Sequence, residues 1–266
     1  LFQSSSRVHY APMHDHPLRS AMKFPFTAVM LTVLTMLTMP AHAWEGRTDA
    51  MGQQLRWPGG PIAYQVNVTG KHGLSATAID SLISAATRSW TDPVSGNLSF
   101  DNDGKTSIRT ASHADGVNAI YFEDDWTLDP ELLAITYIWS NTEGDILGFD
   151  MALNSQDHEW AIDGSPQAND LLNTLSHEFG HALGVDHSPS ESLATMYATS
   201  PPGEVLKRDL HGDDVSAITH LYAHADQAEE DAAGCSTSSS PHRSSQYGHF
   251  SLFFLSLVVA CRRHRS

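Results

Sequence analysis

Cysteine is nearly absent. Cys235 and Cys261 are the only two in 266 residues, and an apolar stretch separates them, so no disulfide framework holds this chain together. Basic residues are scarce too, at 15 Lys+Arg against 31 Asp+Glu, a formal charge of −16. The imbalance sharpens inside the chain: residues 44–234 hold 8 basic and 30 acidic residues, a net −22. Such a surface repels nucleic acid and anionic lipid, so neither is expected as a partner of this region. No internal repeat is visible, and the longest apolar runs fall short of the about 20 residues that span a bilayer. What remains is a chain with 41% hydrophobic and 17% charged residues, enough to bury the core of one ordinary domain.

The two ends do not read as core. Residues 22–43, "MKFPFTAVMLTVLTMLTMPAHA", run from Met22-Lys23 through an apolar stretch to the small-x-small site Ala41-His42-Ala43. That is the form of a secretory signal cleaved after Ala43, and residues 1–21 ahead of Met22 read as an over-extended start. At the other end residues 226–249 form a Ser-rich linker, and residues 250–266 are a hydrophobic segment with a basic end, "RRHRS". This tail resembles the sorting tails of exported bacterial proteins of the MYXO-CTERM type. The resemblance implies a secreted or cell-surface protein, with transient membrane contact through the tail. A simple tail anchor is the alternative.

Between the ends, residues 44–225 read as one domain. "PIAYQVNV" (61–68) alternates like a strand, and "SATAIDSLISAATRSW" (75–90) puts Ile79, Leu82, Ile83 and Ala86 on one helical face behind a Ser75 cap. "NAIYF" (118–122), "LLAITYIWS" (132–140) and "ILGFDMALN" (146–154) read as strands, the last two joined by the turn "NTEGD". A helix over 169–184 opens at Asn169 or Asp170 and closes at Gly184, and a last helix covers 213–222.

The chemistry is concentrated in "TLSHEFGHALGVDHS" (174–188). On a helix, positions four apart share a face, so His177 and His181 point the same way and can ligate one metal through neutral imidazole nitrogens. Glu178 is offset around the axis and is free to contact water at that metal instead of ligating it. Gly184 lets the chain leave the helix with positive φ and bring His187 back as third ligand, which leaves one coordination position open. Met196 follows nine residues after His187, in "ATMYA".

The full pattern H-E-x-x-H-x-x-G-x-x-H with a downstream Met resembles the metzincin peptidases, and Ser188 directly after His187 resembles the matrixins within them. "LLAITYIWSNTEGDILGFDMAL" is similar to their edge strand, bulging loop and next strand, and "DLHGDDVSAITHLY" to the start of their last helix. The resemblance covers about residues 55–224. It implies an α+β metzincin fold: a twisted, mostly parallel sheet of about five strands with an antiparallel edge strand, an active-site helix, a Met-turn and a C-terminal helix. It also implies a zinc metalloendopeptidase with one catalytic Zn²⁺ on His177, His181 and His187, and with Met196 as the floor under the metal. Zinc so held lowers the pKa of its water to about 7 and polarises the substrate carbonyl, while Glu178 acts as general base. An extended protein or peptide would bind along "AITYI", cut by a monomeric enzyme.

Three departures matter. No cysteine precedes the active helix and only about 17 residues separate Ala43 from the first strand, so the cysteine-switch propeptide of animal members is not expected. For a second zinc, His113, Asp115 and His158 offer only a weak ligand set. Calcium remains possible at "DNDG" (101–104) or "EDD" (123–125), although acidic turns in so acidic a domain are commonly just solvated. Two rival readings are a non-catalytic adhesin, which would want a lost ligand or a lost Glu178, and a zinc hydrolase acting on something other than peptides.

Overall fold

The computed structural model describes residues 43–70, 73–94 and 98–222, together with the backbone of residues 255–259 and 262–263. Five strands form its main sheet: β1 (Gly60–Asn67), β2 (Leu98–Lys105), β3 (Ala119–Glu123), β4 (Ala134–Ser140) and β5 (Ile146–Asn154). Their order is β2-β1-β3-β5-β4, parallel throughout except for β4, which runs antiparallel to β5, and a sixth strand, Leu255–Val259, follows on the outer side of β4. This is the mostly parallel α+β sheet that the sequence leads one to expect.

Side chains alternate across the sheet and so build two cores. Ile120 and Phe122 face the larger one, where helices α1 (Ala76–Thr91) and α2 (Leu171–Ala182) pack through Ile79, Ile83, Trp90, Leu175 and Phe179. Ala119 and Tyr121 face the other side, under Trp126 and Ile135. Ser75 caps α1 by accepting from the Ala78 N–H, and Trp90 then ties α1 to α2 through a buried Nε1–H bond to the Ser176 carbonyl at 2.7 Å. The tight β4–β5 turn follows from Asn141, whose side-chain oxygen accepts the N–H groups of Glu143 and Asp145.

Asp150, in the middle of β5, is fully buried. Its carboxylate accepts the N–H groups of Ala119 and Ser112 at 2.7 and 2.8 Å, stitching the 106–118 loop to the sheet. Burial nonetheless pushes its pKa up to about 7, outweighing the lowering by those two bonds.

Two features were not legible in the sequence. "LSFDNDGK" is β2: it pairs with β1 on one side only and carries exposed Asp101, Asn102 and Asp103, so no apolar alternation marks it. The acidic turn at 101–104 therefore belongs to a strand. The second feature is the outer side of β4, expected to be the sheet's free edge. There the backbone of Leu255–Val259 runs antiparallel to β4, with Thr136 opposite Val259, while Arg262–Arg263 pairs in parallel with Thr199–Ser200. The linker at 226–249 and the signal segment up to residue 42 lie outside the described residues. Among those described, no helix is long and apolar enough to cross a membrane.

Candidate metal centre

Helix α2 carries the first two histidines. Asp170 starts it by accepting the Asn173 N–H, and the same carboxylate takes a 2.5 Å ion pair from Arg208. Glycine at 180 is required by packing, since a Cβ there would lie 2.2 Å from the Met196 sulfur and 2.6 Å from the Trp90 ring. Gly184 ends the helix at φ +85°, and a Cβ there would meet the Leu55 carbonyl oxygen at 2.2 Å. The chain then turns back through Asp186 to His187.

These turns bring His177, His181 and His187 together. Their ligating nitrogens all lie within 4.8 Å of one another, and this is the group of three or more metal-binding side chains found among the described residues. The Nδ1 atoms of the helical pair face backbone carbonyls, His177 that of Thr195 at 2.7 Å and His181 that of Val185 at 2.9 Å. Carbonyl partners fix the Nδ1–H tautomer and leave Nε2 as the free donor atom. His177 Nε2 and His187 Nε2 stand 3.2 Å apart. Adjacent ligands of a tetrahedral zinc at about 2.0–2.1 Å would be separated by about 3.3–3.4 Å, so the spacing fits. His181 Nε2 is buried and has no hydrogen-bond partner, an orphaned atom that a metal would satisfy.

Electrostatics agree with the geometry. Burial pushes the pKa of His177 and His181 well down, with neighbouring histidines adding to the shift, and lowers His187 to about 4. All three are neutral at pH 7, the form in which imidazole ligates.

Glu178 is fully buried beside them, and its carboxylate accepts a 2.6 Å hydrogen bond from the Thr136 hydroxyl on β4. Met196 is fully buried, and its carbonyl accepts the Ser188 N–H at 2.9 Å. Asp214, at the start of α3 (Gly212–Tyr222), accepts the N–H groups of Thr195, Met196 and His211. Ser188 donates from its hydroxyl to Asp213 at 2.9 Å. The loop after α2, the turn at Met196 and the last helix are thus one bonded unit.

A match to the matrixin family, peptidase family M10, runs over residues 56–223, more than half of the chain. The chain belongs to the matrixins. Karilysin of Tannerella forsythia is 30% identical over 189 residues, covering 67% of this matrixin and 36% of karilysin. Human matrilysin is 28% identical over 167 residues, 63% of this chain and 58% of matrilysin. A probable matrix metalloproteinase of Invertebrate iridescent virus 3 is 32% identical over 130 residues, 47% of this chain and 31% of the viral protein. This matrixin therefore spans about a third of the viral and Tannerella relatives and little more than half of matrilysin.

Other candidates do not converge. His113 stacks against Trp139 at 5.7 Å between centroids, His158 is buried elsewhere, and neither joins Asp115 in a ligand group among the described residues. Within 123–125, Glu123 accepts the Asp125 N–H and Asp124 accepts the Ser155 hydroxyl at 2.5 Å. Four residues near the centre have no role in the sequence reading. Thr136 and Asp214 are two of them, Asp214 entering there only as part of the Asp-Asp start of the last helix. Lys207 is a third: it is buried in the wall after Met196, 3.1 Å from Glu204 and 5.4 Å from the Tyr197 ring centre. Arg47 is the fourth, held by its N–H to the Gly184 carbonyl, with its guanidinium in the field of Asp186 and Glu178. For Thr136, Lys207 and Arg47 the long sequence separation from the histidines left no local signal to read.

Proposed function

We propose that this matrixin is an exported zinc-dependent endopeptidase in which His177, His181 and His187 hold one Zn²⁺ and Glu178 is the general base. The observation that carries the reading is the histidine cluster itself: three neutral imidazoles with ligand spacing and fixed tautomers beside a buried carboxylate. Zinc, when bound, polarises the scissile carbonyl and makes water acidic enough to be deprotonated near neutral pH.

The chain's own residues do the rest. Glu178 accepts the proton of the attacking water and delivers it to the leaving amine. Met196 and Asp214 hold the floor and the loop of the site in place. The substrate lies extended along the outer side of β4, whose main-chain groups already accept an antiparallel strand from Leu255–Val259. Among the described residues nothing in this arrangement captures a chain terminus, which favours internal cleavage. Export rests on the signal form of residues 22–43, and calcium in an acidic turn is not required by the reading.

Casein or peptide cleavage by wild type and Glu178→Gln at matched zinc occupancy tests the proposal. Loss of at least about 10²-fold is expected, the usual contribution of acid–base catalysis. Equal rates would exclude Glu178 as the base. A zinc-loaded wild type inert toward every unfolded protein tried would favour a binding module built on a peptidase fold.

A further inference from the structure

Strand β4 presents Ala134 and Thr136 to the side on which α2 lies, and Thr136 carries the hydroxyl. A buried hydroxyl on an apolar face is unfavourable unless it is bonded. At 1% exposure, Thr136 resolves this by placing Oγ1 2.6 Å from Glu178 Oε2 and 3.3 Å from the Glu178 carbonyl oxygen. Its Cα partner on β5, Met151, is apolar and fully buried, and its side chain offers the hydroxyl no oxygen.

Glu178 has the complementary need. A fully buried carboxylate requires donors, and this hydroxyl is a short one. The bond joins the two elements that a substrate must lie between or beside: β4, which offers the main-chain edge, and α2, which carries the metal-binding histidines. A glutamate has three rotatable bonds, and a fixed donor on Oε2 restricts the orientations open to the carboxylate.

We propose that Thr136 is a positioning residue for proton transfer: its hydroxyl pre-orients the Glu178 carboxylate, so that a substrate docked on β4 and the base on α2 are registered by one hydrogen bond. The inference rests on Glu178 being the base. Because Thr136 acts on the base and not on affinity, its loss lowers kcat and leaves KM in place. Its effect exists only while Glu178 is a carboxylate.

The test is a double-mutant cycle on the full zinc-loaded chain, using Thr136→Val, Thr136→Ser, Glu178→Gln and the Thr136→Val/Glu178→Gln pair, with zinc content and melting temperature measured for each. Valine keeps the shape and strand preference of threonine without the hydroxyl. A fall in kcat of about tenfold is expected for Thr136→Val, the rate equivalent of one hydrogen bond to a charged group, with KM within about twofold. Thr136→Ser restores most of the rate, and in the Glu178→Gln background Thr136→Val costs nothing further. An unchanged kcat in Thr136→Val, an effect confined to KM, or an equal loss in the Glu178→Gln background would overturn the proposal. If Glu178→Gln itself matches wild type, the reading of the base fails, and this inference fails with it. If Thr136→Val does not fold, a Thr136→Ser enzyme that is as slow as Thr136→Ala overturns it instead.

Discussion

Asp214 accepts the backbone N–H of Met196 at 3.0 Å from a fully buried position, so the last helix directly holds the turn at Met196. The same carboxylate takes the N–H groups of Thr195 and His211, which leaves three donors dependent on one side chain. Thr195 is also the residue whose carbonyl orients His177. A helix start remote in sequence thereby helps to set the geometry of the histidine cluster.

Asp214→Asn should lower both stability and metal retention. The amide keeps one acceptor oxygen and turns the other position into a donor facing backbone N–H groups. Unsatisfied buried donors cost about 1–3 kcal/mol, or roughly 2–12 °C in melting temperature for a domain of this size. Differential scanning calorimetry with and without zinc checks this, and an unchanged melting point would show that the turn does not need Asp214.

His187→Ala should strip the metal and spare the helix. His187 lies beyond Gly184, so α2 keeps its cap, its packing and its first two histidines. With one of three ligands gone, zinc affinity is expected to fall by at least about 100-fold, more than the loss typical of an outer-shell partner. Metal analysis after dialysis against a weak chelator, paired with circular dichroism, provides the readout. Stoichiometric zinc in the variant would remove His187 from the site.

Asp150 predicts a pH dependence of stability. Its folded pKa of about 7 lies above the unfolded carboxylate value of about 3.9, so between these values the native state binds more protons than the unfolded one. This group therefore stabilises the fold at low pH and costs stability as the pH rises from about 4 to 7. Urea unfolding of wild type and Asp150→Asn over that range should show the wild type losing stability relative to the variant as pH rises. Parallel curves would mean that Asp150 is ionised throughout.

The strand on the outer side of β4 predicts self-competition. Leu255–Val259 uses the main-chain groups that an extended substrate would use, and a tethered segment competes at high effective concentration. A chain ending at residue 249 should therefore show a lower KM for peptides with kcat unchanged. Identical KM values would show that this pairing does not hold in solution.

The sequence by itself determined the elements that carry local signals. Period-2 alternation marks β1 and a period-3.6 apolar face marks α1, while β3, β4 and β5 read as short apolar runs because both of their faces are buried. Ser75, Asp170 and Gly184 mark helix ends because capping and positive φ are demands that a few residues meet. His177, Glu178, His181 and His187 were legible for the same reason, since eleven consecutive positions and one helical turn nearly suffice to bring them together. What only the tertiary structure decided depends on contacts between distant segments. β2 is defined by its pairing with β1 and carries no apolar alternation. Thr136 reads as an ordinary strand residue until α2 places Glu178 against it. Arg47, Lys207 and Asp214 are charges whose burial no local pattern announces, because the groups they face lie on other elements and meet them only when the chain has folded.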